Sequence, residues 1–237
     1  MLGLLLAPGA AGVAIGIATI AGFLVRHPGR MYWKNRHRLD ASPRYRIARR
    51  FAFAYTLVAT AALLVAWAMA GIRPLIPFLI AAPFVLLFTA YDLRHQARKL
   101  LPELLAPTLV AVSAPAIVLA DGWTGVGATV VWLLLALRSI PTVLYVRARL
   151  RQERGKPRSA TASNVAHTSA LLMGGGLARA GLAPWSAVAA LALLLVRAAV
   201  GLSALHRPAA PKAIGFAEIA YGSIFVLLTA AGYSALR

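Results

Sequence analysis

Eight stretches of this chain are apolar on every side over roughly the length of a membrane span: residues 2–25, 51–70, 74–91, 101–120, 123–146, 162–181, 184–205 and 213–236. Crossing about 30 Å of hydrocarbon takes about 20 helical residues. In lipid every backbone N–H and C=O must be paired within its own segment or a closed sheet, so runs of this length fold as helices. A soluble helical repeat would show one apolar stripe per helix, and these runs show none. Only 13% of the 237 residues are charged and 60% are hydrophobic, whereas a soluble domain carries about 25% charged residues. The expected fold is all-α: a polytopic membrane helical bundle of about eight transmembrane helices, forming one domain over residues 1–237.

Short breaks at 71–74, 121–122 and 181–184 combine glycine with proline or aspartate and predict tight antiparallel connections. Pro77, Pro83, Pro107, Pro115 and Pro141 lie inside spans, where kinks are tolerated if the freed carbonyls find other partners. Twenty of the 25 Lys and Arg fall in 26–50, 92–99, 147–158 and 206–212, and three (Arg73, Arg179, Arg237) fall on the alternate side. This asymmetry places the four basic loops in the cytoplasm, both ends of the chain outside, and the protein in a bacterial cytoplasmic membrane.

The net charge of +19 would suggest nucleic acid on a soluble protein. Here the cations sit between apolar runs, so the expected partners are membrane lipids and not nucleic acid. The chain has no cysteine, which excludes disulfides, thiolate metal sites and cysteine nucleophiles. The first run starts at Met1 without a basic leader and reads as a helix, not a signal peptide. Gly174-Gly175-Gly176 lacks the strand context of a phosphate loop and points to close helix packing.

Ionisable groups within spans are functional candidates, because burying charge in lipid is costly. Arg138, Arg197 and Glu218 lie inside the fifth, seventh and eighth runs, Glu103 one turn into the fourth, and His167 near the start of the sixth. Each also has a structural reading. Glu103 suits a helix N-terminus, Arg197 can snorkel, and Arg138 can pair with Glu218. Pro141, one turn past Arg138, is expected to break that helix and open carbonyls to a cavity. Arg147, Arg151 and Arg154 share a face if the fifth helix runs on. No carboxylate pair and no histidine spacing suits a metal, and neither a nucleophile elbow nor a Walker loop is present. No metal and no cofactor is expected. Glu103 is the one residue offered as a catalytic acid or base.

Phe23-Leu24-Val25-Arg26-His27-Pro28-Gly29-Arg30, Pro43-Arg44-Tyr45-Arg46-Ile47-Ala48 and Arg138-Ser139-Ile140-Pro141-Thr142-Val143-Leu144-Tyr145-Val146-Arg147 resemble the YwiC-like family of bacterial membrane proteins. The likeness runs over most of the chain and is most specific at 138–147. That family opens with a Glu-His-Gly-Ala-Trp type segment, whereas this chain starts Met1-Leu2-Gly3. A truncated start or a shortened first helix then leaves one of nine spans missing. Nine spans, and the order of the loops, are similar to the UbiA superfamily of intramembrane prenyltransferases. That resemblance implies Asp-rich magnesium-diphosphate motifs near 26–50 and 147–158. These loops offer only Asp40 and Glu153 among many cations, too few acids for such a site, so any anion must be held by arginines directly.

Three functions fit these residues. The first is a UbiA-like bundle binding an anionic or isoprenoid amphiphile in a cytoplasm-facing cavity, with Arg36, Arg94, Lys99, Arg147 and Arg158 at the headgroup and Arg138 and His167 deeper. The second is a transporter using Arg138, Arg197 and Glu218 along a path, with helices broken at proline. The third is a non-catalytic membrane assembly factor. The sequence leaves open whether any reaction is catalysed. Because the chain has no native cysteine, the topology is directly testable. Single cysteines placed in the 92–99 and 206–212 loops are expected to react with an impermeant maleimide only in inside-out vesicles. Labelling of intact spheroplasts at both loops would reverse the orientation.

Overall fold

All eight apolar runs fold as helix in the computed structural model, which describes residues 1–35, 43–157 and 159–236. No strand occurs among the described residues. The helices are α1 (Leu2–Leu6), α2 (Ala10–Asn35), α3 (Pro43–Ala70), α4 (Ile76–Leu93), α5 (Leu100–Val110), α6 (Ser113–Ala120), α7 (Gly125–Glu153), α8 (Thr161–Arg179), α9 (Trp185–Gly201) and α10 (Pro211–Leu236). Among the described residues, six stretches are long and apolar enough to cross a membrane: Ala10–Trp33, Pro43–Ala70, Arg73–Leu93, Leu100–Ala120, Gly125–Glu153 and Pro211–Leu236. α9 is a shorter apolar helix. α8 is 19 residues long, but Ser163, Asn164, His167 and Thr168 make its first half polar. The chain is a multi-pass integral membrane protein.

The helix ends follow from local chemistry. Gly71 and Gly181 adopt positive φ, 70° and 71°, a conformation open to glycine without a Cβ penalty. At the end of α8 the Leu182 amide reaches the Leu177 carbonyl at 2.9 Å and the Gly181 amide reaches Ala178 at 3.0 Å. This pair of bonds closes the helix as a Schellman cap.

Three run boundaries differ from the sequence reading. The first run is interrupted at Ala7–Gly9, around Pro8, and α2 then continues to Asn35, so much of the basic 26–50 segment is helix. The fourth run is divided between α5 and α6. Pro115 has no N–H to offer the Ala111 carbonyl, which accepts from the Ala114 amide at 3.0 Å instead. Conversely, α7 runs unbroken through Pro141. Its neighbours hold the helix together, and the proline costs it only one ladder bond.

The chain divides into two compact units, Ala7–Ala128 and Met1–Leu6 with Thr129–Arg237. In the first, α2 and α3 form an antiparallel pair whose polar ends meet through stacked Tyr32 and Tyr45, centroids 5.6 Å apart. α3 buries little beyond Ala48 and Ala66 and turns Phe53, Leu57, Leu64 and Trp67 outward, as a lipid-facing helix should. Buried Asp92, at the end of α4, gathers two arginines of α2. Arg26 donates through Nε and Nη2 at 3.1 and 3.0 Å, and Arg30 through Nη1 at 3.4 Å. Arg26 also lies 4.7 Å from the Phe88 ring centroid.

In the second unit α8 and α10 pack on α9 and α1 on α10, and α7 joins them where Tyr145 and Ala148 meet Ala198 and Leu202. Small residues let the backbones approach. A Cβ at Gly174 of α8 would collide with Leu191 of α9, and one at Gly232 of α10 with Ser186 and Pro184. Ser186 Oγ donates to the Leu228 carbonyl at 2.7 Å and the Tyr233 hydroxyl to the Leu182 carbonyl at 3.0 Å.

Asp92→Asn removes the charge that holds Arg26 and Arg30 to α4. A loss of about 1–3 kcal/mol is expected for a buried, charge-assisted pair of this kind. Unfolding in detergent measures it, and an unchanged midpoint would show that the cluster contributes nothing to stability.

A candidate functional site in a buried arginine layer

Helical spacing sets the site. On α7, Arg138, Thr142, Tyr145 and Arg149 recur at intervals of four, three and four residues and share one face. On α10, Glu218, Tyr221, Gly222, Phe225 and Thr229 do the same. α8 aligns Ser163, His167, Ala170 and Gly174, and α9 aligns Ala187, Ala190, Leu194 and Arg197. These faces meet.

Arg197 is buried at the centre. Its Nη1 is ion-paired with Glu218 Oε1, and its Nη2 donates to His167 Nε2 at 3.3 Å. The guanidinium lies over the Tyr145 ring at 4.1 Å and near Tyr221 at 5.4 Å, where aromatic faces stabilise a cation. Because arginine has no acceptor, His167 Nε2 must be unprotonated. Nδ1 then carries the proton and donates to the Ser163 carbonyl at 2.8 Å. His167 is therefore neutral and spent on Arg197.

Arg138 is differently placed. Its Nη2 donates to the Glu218 backbone carbonyl at 3.3 Å, and its Nε is buried with no partner. It lies flat on α10 because Gly222 has no side chain; a Cβ there would strike the guanidinium. Arg197 Nε, Glu218 Oε2, Asn164 Oδ1 and Thr142 Oγ1 are also buried without a partner, an unusual density of open polar atoms.

His167, Glu218 and Arg197 lie within about two turns of their helix ends, and Arg138 joins them through the Glu218 carbonyl. At about 1.5 Å per residue, His167 lies about 9 Å from the start of α8, Glu218 about 11 Å from the start of α10 and Arg197 about 6 Å from the end of α9. Below this layer, Arg149 ties α7 to the α9–α10 connection. It pairs with Glu153 at 2.8 Å and donates to the Gly201 carbonyl at 2.7 Å and to the Arg207 carbonyl. Glu153 Oε2 in turn accepts from the Ala209 amide at 3.2 Å. Leu150, Glu153, Arg154 and Pro208–Pro211 line an open cleft here.

Of the residues expected at a binding site, Arg138 and His167 fall in this layer. Arg147 is half-buried and, nine residues on, lies on the opposite side of α7 from Arg138. Arg94 and Lys99 are exposed where α4 ends and α5 begins, and Glu103 lies in the first turn of α5, all three in the Ala7–Ala128 unit. Arg36 and Arg158 lie outside the described residues. Glu218 pairs with Arg197; Arg138 takes its carbonyl instead. Tyr145, Tyr221 and Gly222 were not singled out from the sequence, although Tyr145 stands seven residues from Arg138, two turns along one face. Among the described residues no three His, Asp or Glu side chains converge as a metal would need.

Residues 1–118 match the family model described as YwiC-like protein. No curated protein and no solved structure matches the chain. The arginine layer, and the 138–147 stretch, lie beyond the matched residues.

Glu218→Gln leaves Arg197 buried without its counter-charge and is expected to cost about 3–5 kcal/mol. Arg197→Gln combined with Glu218→Gln is expected to cost less than the two single losses added. Additive losses in a double-mutant cycle would show that the pair is not coupled.

Proposed function

Because the chain belongs to the YwiC-like family and is a multi-pass membrane protein, we propose that its α7–α10 unit binds the anionic head of a membrane amphiphile. Isoprenoid or quinone-type lipids are the class in view, with Arg138 as the principal contact. One observation carries this reading: the Glu218 carboxylate is engaged by Arg197, and the half-buried Arg138 beside it meets only the Glu218 backbone carbonyl. Arginine stays charged in proteins, so an uncompensated one inside a span calls for an anion. Arg197 is engaged by Glu218, His167, Tyr145 and Tyr221. Arg138 has one backbone acceptor and a bare Nε.

The direct contacts that join Arg138, Arg197, Glu218 and His167 favour one binding layer over a file of charges along a translocation path. Arg94, Lys99, Arg147 and the cations at 36 and 158 would attract an anionic head toward the cytoplasmic surface. In this reading the basic segments face the cytoplasm, the protein resides in the cytoplasmic membrane, and the bundle is UbiA-like without an Asp-rich magnesium-diphosphate site. No residue of the layer is assigned an acid–base role, since His167 and Glu218 are both committed to Arg197.

Lipid copurified with the wild-type chain and identified by mass spectrometry tests the proposal. An anionic amphiphile enriched over the host membrane, and lost on Arg138→Glu, is the expected outcome. Recovery of bulk phospholipid only, with the same profile in Arg138→Glu, would refute it.

A further inference from the structure

The charge balance of the layer bears on more than the sign of its ligand, and we propose that the α7–α10 site selects a singly charged oxyanion head, of the phosphodiester or carboxylate type, over doubly and triply charged phosphate monoesters and diphosphates. This selectivity presupposes the binding role of Arg138 proposed above.

The acids of the chain after residue 128 are Glu153 and Glu218. Glu153 is taken by Arg149 at 2.8 Å and by the Ala209 amide. Glu218 is taken by Arg197. His167 is neutral, because its Nε2 accepts from Arg197 and its Nδ1–H serves the Ser163 carbonyl. Within the layer, Arg138, Arg197 and Glu218 leave one unit of positive charge, on Arg138, and one anionic charge neutralises it. A second charge on the same head would stand beside Glu218, whose backbone carbonyl is already 3.3 Å from Arg138 Nη2. Like charges repel strongly where water is excluded. Glu218 Oε2, buried with no partner, adds an acceptor. Each further anionic oxygen on the head would face its lone pairs.

The test titrates the wild-type chain, in neutral detergent, with dodecyl amphiphiles that differ only in the head. Dodecanol is uncharged; dodecanoate and dodecyl methyl phosphate carry one charge. Dodecyl phosphate above its second ionisation carries two, and dodecyl diphosphate more. The singly charged pair is expected to bind roughly tenfold more tightly than the others, and Arg138→Gln is expected to abolish that binding. Comparison within the pair distinguishes carboxylate from phosphodiester. Tightest binding of the diphosphate, still dependent on Arg138, would overturn the selectivity and leave the binding role intact. Binding of no head that depends on Arg138 would overturn both.

Two variants check the charge balance itself. Glu218→Gln raises the layer by one positive charge and is expected to shift preference toward dodecyl phosphate. Arg197→Gln with Glu218→Gln restores the balance and is expected to return the preference to the singly charged heads. An unshifted preference in folded Glu218→Gln, or its loss in the folded double variant, would overturn the proposal. Ligand-free melting curves establish folding. Should Glu218→Gln not fold, the wild-type series and the double variant decide alone.

Discussion

Desolvating a guanidinium group inside a helix bundle is the constraint on which the α7–α10 unit depends. Several kcal/mol per ion are lost when charge leaves water, and only close partners offset that. Arg197 of α9 recovers the loss through contacts on each neighbouring helix: Glu218 and Tyr221 on α10, His167 on α8 and Tyr145 on α7. Each contact fixes a register. Sliding any helix by one residue would rotate its contribution by about 100° and leave the cation bare. The glycines follow from the same demand, since Gly201 leaves room for the Tyr145 hydroxyl and Gly222 for Arg138.

The arginine cluster of the other unit is set in different surroundings. Arg26 and Arg30 meet Asp92 near the helix ends, and their side chains remain 39% and 36% exposed. Water shares in their solvation, and Asp92 gives Arg26 two-point contact. Such a cluster anchors α4 to α2, and its one surplus positive charge is met by water at the helix ends. Burial depth, more than residue type, separates the two clusters.

Arg138 gives the functional reading its direction. A bundle that wanted only stability would do better with an apolar residue at this position, because well-packed hydrophobic groups usually match or exceed a buried ionic set. Instead a glycine on the facing helix accommodates the guanidinium, whose Nε is buried with no partner. The family match covers residues 1–118, so the chemistry of this layer rests on its own residues and not on inherited roles.

Spans, helical class and charged positions were legible because lipid imposes them locally. A run of apolar residues must form a helix, and Arg138, Arg197, Glu218 and His167 stand out in sequence as exceptions to it. The polar helix ends at 26–35 and 43–50 read as loop, because hydropathy marks the hydrocarbon boundary and not the end of the helix. The interruption at Ala111–Val112 and the continuity through Pro141 depend on what accepts each freed carbonyl, which no local signal records. The partners of the buried charges were equally out of reach. Spacing along one chain shows which residues share a face of their own helix. Whether Glu218 meets Arg138 or Arg197 depends on the rotation and axial offset of separate helices, which packing around Gly174, Gly201 and Gly222 sets only once the chain has folded.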